Sequence, residues 1–132
     1  MSKHVLDVGN CGPDHAAIRS YLTANFDCEV SQTHGLADTL AELRTGRFDL
    51  VLINRKLDAD YSDGIEIVRA IKADVRTADV PVMLVTNYAE HQDAAVAAGA
   101  LRGFGKLEYD RQETREKLVA VLGRNDHLAP GQ

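Results

Sequence analysis

The residues of this chain that could do chemistry gather at the ends of short apolar runs. Asn54 closes the run Leu50-Val51-Leu52-Ile53, and Thr86 follows Pro81-Val82-Met83-Leu84-Val85. Lys106 follows Leu101 to Gly105, and Gly9-Asn10-Cys11 follows Val5 to Val8. A carboxamide and a hydroxyl can satisfy backbone groups, and the Lys106 ammonium reads as a charge anchored near the crevice rather than a catalyst. Asn54 reads either as a polar residue closing a turn or as a direct partner contact. Thr86 can equally be a strand-end hydroxyl serving the backbone. Cys11 sits just ahead of a helix start, a setting that can lower a thiol pKa. Asp7 lies inside the first run, where a charge without a partner is costly. It can pair with Lys106, hold its proton, or face a wet edge. Asp14, Asp58 and Asp60 read as solvated loop acids that could approach the same place. His4, His15, His34, His91 and His127 lack metal-ligand spacing and read as surface or capping residues. No metal and no cofactor are expected.

The elements that must position these residues follow from hydrophobic pattern. Phe48 to Asn54 has no alternation between Leu50 and Ile53, as expected of a central parallel strand covered on both faces. Val5 to Val8 reads as a first strand and Cys28 to Thr33 as a second. Pro81 to Val85 reads as a fourth and Leu101 to Gly105 as a fifth. Pro13 suits the first turn of the helix after strand one, where its missing N–H costs nothing. Ala16, Ala17, Ile18, Tyr21 and Leu22 give that helix its apolar face. Leu36, Leu40 and Leu43 mark a second helix that Gly46 can end. Asp63 with Glu66 reads as a capping box opening a third helix, which buries Ile67, Val68 and Ile71. An alanine-rich helix covers Glu90 to Ala98 and stops at Gly99. Asp110 with Glu113 reads as a second capping box, ahead of a helix burying Leu118, Val121 and Leu122.

Five alternations of strand and helix predict an α/β fold with a doubly wound five-stranded parallel sheet. Right-handed crossovers make the flavodoxin-like order 2-1-3-4-5 the simplest arrangement. The ends of strands 1, 3, 4 and 5 then converge on one crevice. One domain is expected over residues 1–123, with a flexible tail over 124–132. A length of 132 residues with 45% hydrophobic content is enough for one packed core. The net charge of −5 and the lack of a Lys/Arg cluster argue against a nucleic-acid surface. With two cysteines, no signal peptide and no apolar run of membrane length, a reduced cytoplasmic setting off the membrane is expected.

The converging residues carry a family resemblance. Over about residues 3 to 123 the chain resembles the receiver domain of bacterial two-component response regulators. FDLVLIN resembles the family's third strand, and DGIEIVRAIK the start of its third helix. VPVMLVT resembles its fourth strand, and AAGALRGFGK the segment leading to its lysine. The resemblance implies that Thr86 and Lys106 are retained switch positions. It also implies that Asn54 stands where the family has its phosphorylated aspartate. A neutral carboxamide has no oxyanion to attack phosphorus. The family's acidic pair falls on Gly9-Asn10 or on Asn10-Cys11, and neither holds a carboxylate. Mg²⁺ wants hard oxygen ligands, usually including carboxylates. The loop from Asn54 to Asp63 is two residues longer than the family's, and the fourth helix is shorter. Gly103 stands at the aromatic switch position, beside Phe104. Leu107 stands where a proline is usual, so a trans bond is expected there.

Retained fold and altered chemistry point to an atypical, non-enzymatic receiver that binds proteins without phosphate on the usual residue. The resemblance implies a signalling kinase or an output protein as partner. Docking or homodimerisation would use the face of helix 4, strand 5 and helix 5, around Ala94 to Tyr109. Tyr88 and Tyr109 flank the last two helices and can serve that contact. No appended output domain is expected, and any effect is expected to pass through a separate partner. One alternative is phosphorylation of Asp58 or Asp60 in the longer loop. Another is a small phosphatase using Cys11. Small tyrosine phosphatases follow such a cysteine with five residues and an arginine. Here seven residues separate Cys11 from Arg19, with Pro13 and Asp14 among them.

Overall fold

The computed structural model describes residues 2–124. Five strands alternate with five helices: β1 (Lys3–Val8), α1 (Gly12–Asn25), β2 (Cys28–Thr33), α2 (Leu36–Thr45), β3 (Leu50–Asn54), α3 (Ile65–Ala73), β4 (Val82–Val85), α4 (Ala89–Ala97), β5 (Leu101–Phe104) and α5 (Gln112–Leu122). All pairings are parallel and the sheet order is β2-β1-β3-β4-β5. The expected doubly wound fold is therefore observed. The tail expected to be flexible lies outside the described residues, apart from Arg124, and so does His127.

Alternate residues of the central strands feed two cores. Leu6, Val8, Val51, Ile53, Val82 and Leu84 pack against Leu43, Ile67, Val68, Ile71 and Ala95, contributed by α2, α3 and α4. Val5, Leu50, Leu52, Met83, Val85 and Phe104 pack against Ile18, Leu22, Leu118 and Leu122 of α1 and α5. Leu50 to Ile53 are fully buried, each contributing about 1.5–3 kcal/mol. That double burial explains why β3 shows no alternation in sequence. It also fixes Asn54 at the strand's carboxyl end, the first residue of the run with any exposure.

Some helix starts differ from the sequence reading. Neither expected capping box forms. Gly64 is the N-cap of α3, and the Asp63 carboxylate is drawn 2.9 Å from the Lys56 ammonium instead. Glu66 pairs with Arg69 at 2.8 Å. At α5 the N-cap is Arg111, with no side-chain cap. Leu36 remains exposed at the start of α2, where the sequence pattern alone would have turned it inward. Val121 is only partly buried. Pro13 does occupy the first turn of α1, and no cis peptide bond occurs among the described residues.

Candidate functional site

The carboxyl ends of β1, β3, β4 and β5 form the crevice, and each brings one polar group. At the end of β1, Asp7 is fully buried on the sheet face that meets α1. Asn10 Nδ2 donates to one of its oxygens at 2.5 Å, and His15 Nδ1 lies 2.6 Å from the other. Burial pushes the Asp7 carboxyl up. The His15 and Asn10 hydrogen bonds, with the His15 and Lys106 charges, pull it partly back. The chain thus resolves its buried acid with donors from the next loop and helix. His15 is not the surface or capping residue expected from sequence. A buried acid calls for donors, and Asn10 and His15 follow it closely in the chain.

Asn54 closes β3 by turning its amide onto the backbone. Its Nδ2 donates to Lys56 O at 2.7 Å and to Gly9 O at 3.4 Å. Gly9 O also accepts the Asp58 N–H at 3.0 Å. The loop from Asn54 to Asp63 folds on itself through Leu57 N–H to Ser62 O and Tyr61 N–H to Leu57 O, at 2.9 and 2.8 Å. Asp60 accepts from both the amide and the hydroxyl of Ser62. Its pKa is lowered, the side-chain bond from Ser62 being the largest cause. Asp58 lies 4.0 Å from His34.

Lys106 Nζ donates to Asp14 Oδ2 at 2.7 Å. That hydrogen bond is the largest influence holding the Asp14 carboxyl below its usual range. Asp14 is therefore the anion that meets the crevice lysine, rather than a simply solvated loop acid. Thr86 closes β4 and serves the backbone: its Oγ1 accepts the Tyr88 N–H at 3.2 Å, and its own N–H reaches Phe104 O at 3.0 Å. Asn87 Oδ1 accepts the Leu107 N–H at 3.3 Å. Tyr109 is half-buried, stacked on Tyr21 at 5.0 Å between centroids and packed against Phe104. It belongs to the core, whereas Tyr88 is exposed.

These donors do not fit a hard dication. Among the described residues no three His, Cys, Asp or Glu side chains are arranged to hold a metal. Asp7 is engaged by His15 and Asn10, Asp14 by Lys106, and the Asn54 amide points its N–H groups at carbonyls. Asn10 Oδ1 is the one buried side-chain oxygen without a partner among the described residues, a single neutral ligand at most. Cys11 is exposed, and it precedes α1 as expected.

The response regulator receiver domain family matches residues 14–118. The chain belongs to this family, within two-component signalling. It is 34% identical over 110 residues to the transcriptional regulatory protein ZraR of Salmonella typhimurium, covering 80% of this chain and 24% of that protein. It is 29% identical over 86 residues to the chemotaxis protein CheY of Pseudomonas aeruginosa, covering 64% of this chain and 68% of that one. Among solved structures it resembles the receiver domain of the Francisella response regulator 1452 (TM-score 0.75, 15% identity, 92% of this chain and 97% of that one). It also resembles the receiver domain of the sensor histidine kinase PA1611 of Pseudomonas aeruginosa, which has magnesium coordinated in its active site cleft (TM-score 0.73, 20% identity, 93% and 99% covered). No helix among the described residues is long and apolar enough to cross a membrane.

Proposed function

We propose that this receiver works as a protein-interaction module whose state does not depend on phosphate at the end of β3. The observation that carries the reading is the engagement of the crevice. Asn54 donates to the Lys56 and Gly9 carbonyls, while Lys106 is paired with Asp14. The nucleophile position offers an amide, and the ammonium that would meet a phosphoryl group already has an anion. Gly9, Asn10, Cys11 and Asn54 are the altered positions; Thr86 and Lys106 are the retained ones. The module is non-enzymatic and cytoplasmic on this reading. Its partner is a signalling kinase, an output protein or a second copy of the chain. Tyr88, Val96, Leu101 and Leu107 are exposed on α4, β5 and the adjoining turns, which supports docking through α4, β5 and α5.

Acetyl phosphate with Mg²⁺, read by intact mass, tests the reading. No adduct is expected. A stable gain of about 80 Da, the size of a phosphoryl group, would overturn it. Mapping that mass to Asp58 or Asp60 would establish the loop-acid alternative, and mapping it to Cys11 would favour a thiol enzyme.

A further inference from the structure

The edge of the sheet beside α4 contains a break. Met83 pairs with Leu101 and Val85 with Phe104, so two steps along β4 oppose three along β5. The extra residue falls next to Gly103, where backbone groups of a regular ladder lose their partners. Two side chains supply the replacement. Gln92 Oε1 accepts the Gly103 N–H at 2.8 Å, and Gln92 Nε2 donates to Leu84 O at 2.9 Å and Thr86 O at 3.2 Å. From the other side, Lys117 Nζ of α5 donates to Gly103 O at 3.0 Å.

Gln92 is 5% exposed. A buried amide left unbonded would be costly, so its full set of partners specifies one position for the helix that carries it. The apolar hold on that helix is slight. Gln92 and Ala95 are the only buried residues of α4, and Val96 is exposed. A side chain at position 103 has no room, since a Cβ there would lie 2.3 Å from Leu84 O. The space is closed by backbone, and no ring can swing through it.

We propose that Gln92 and Lys117 staple α4, β5 and α5 together at Gly103, and that Gln92 is the positioning residue that holds α4 in one place on the sheet. The staple also reaches the crevice, because Gln92 binds the carbonyl of Thr86. The face made by the three elements is thereby held in a single arrangement without a ligand in the crevice. Its consequence for docking rests on the function proposed above; the staple itself is a property of the free chain.

Amide hydrogen exchange on the free protein, without partner or phosphate, tests it. Gln92→Met keeps the length of the side chain and removes all three bonds. Exchange at Gly103 and over Ala94 to Ala98 is expected to speed by about tenfold or more, as for loss of buried hydrogen bonds. Amides of β1 and β3 are expected to change by less than about twofold, since local opening leaves the core intact. Lys117→Met is expected to loosen α5 against β5 with a smaller effect on α4. Unchanged exchange at Gly103 and α4, or equal acceleration everywhere, would overturn the staple. If Gln92→Met does not fold, the wild-type side-chain NH₂ of Gln92 decides. It should exchange far more slowly than that of exposed Gln112, and equal rates would overturn the staple. A phosphoryl adduct would sink the proposed function and leave the staple standing, so the two fail separately.

Discussion

Two carboxylates near the crevice meet opposite environments, and their titration should differ in sign. Asp14 is held low by Lys106, so its pairing contributes stability above the unfolded pKa of about 4 and loses it as pH falls through its lower folded value. Asp7 is held high by burial, so its contribution is greatest below the unfolded pKa and is lost as pH rises through its folded value. The Lys106–Asp14 pair is partly open to water, with side chains 28% and 43% exposed. Lys106→Met should therefore cost about 1 kcal/mol or less in urea unfolding at pH 7. The difference from wild type should shrink when the titration is repeated below about pH 4, as Asp14 takes up a proton. A cost that stays constant across that range would mean the pair is not what stabilises Lys106. Asp7 illustrates what sequence could and could not convey. Its need for a partner was readable from its place in a buried strand. Its choice of His15 was not, because that depends on how α1 lies on the sheet.

At the scale of elements, strand and helix order was readable because hydrophobic period follows directly from which faces are covered. The apolar run of β3, the Pro13 start of α1 and the Gly99 stop of α4 are of this kind. The two capping boxes failed for a different reason. A box is a local pattern, and Asp63 instead met Lys56 across a bridge between the loop and the start of α3. Gln92 gave no local signal at all, since a glutamine in an alanine-rich helix reads as a solvated residue. Gly64 shows the same long-range control. A Cβ there would lie 2.1 Å from Asn54 O and 2.8 Å from Ile53 Cγ2. Gly64→Ala must push α3 away from the end of β3, and should cost about 1–3 kcal/mol as overpacking does. Gly12→Ala, with nothing within 4 Å of its Cβ beyond its chain neighbours, is the comparison. It should cost less than Gly64→Ala, since its new Cβ meets only the ring of Pro13, which follows it in the helix. Both are read from urea midpoints. Equal effects would mean the contact at Gly64 does not constrain α3.

At the scale of the whole molecule, the function proposed above implies that phosphoryl chemistry in this crevice needs more than one added carboxylate. Asn54→Asp supplies a nucleophile but leaves Mg²⁺ without the anionic ligands it needs. No phosphoryl adduct from acetyl phosphate is expected for that single variant. The structure also decides which residues could be added. Gly9 has φ +80, and a Cβ there would strike Leu57 Cδ2 at 2.3 Å, so Gly9→Asp should strain the loop. Asn10 and Cys11 are the positions where the backbone permits side chains. Asn10→Asp, however, sets a second carboxylate against buried Asp7, in place of the amide that now donates to it. Two buried acids in contact repel, and one must hold a proton. The variant combining Asn10→Asp, Cys11→Asp and Asn54→Asp is therefore expected to fold less stably than wild type at pH 8 and to recover part of the loss at pH 5. Adding Asp7→Val removes the contact between positions 7 and 10 and should return part of the stability at pH 8. The fourfold variant is the one expected to take up the adduct, measured by intact mass with and without Mg²⁺. If Asn54→Asp alone is phosphorylated as readily, the engaged groups around Asp7 and Asp14 are not what separates this crevice from a working one.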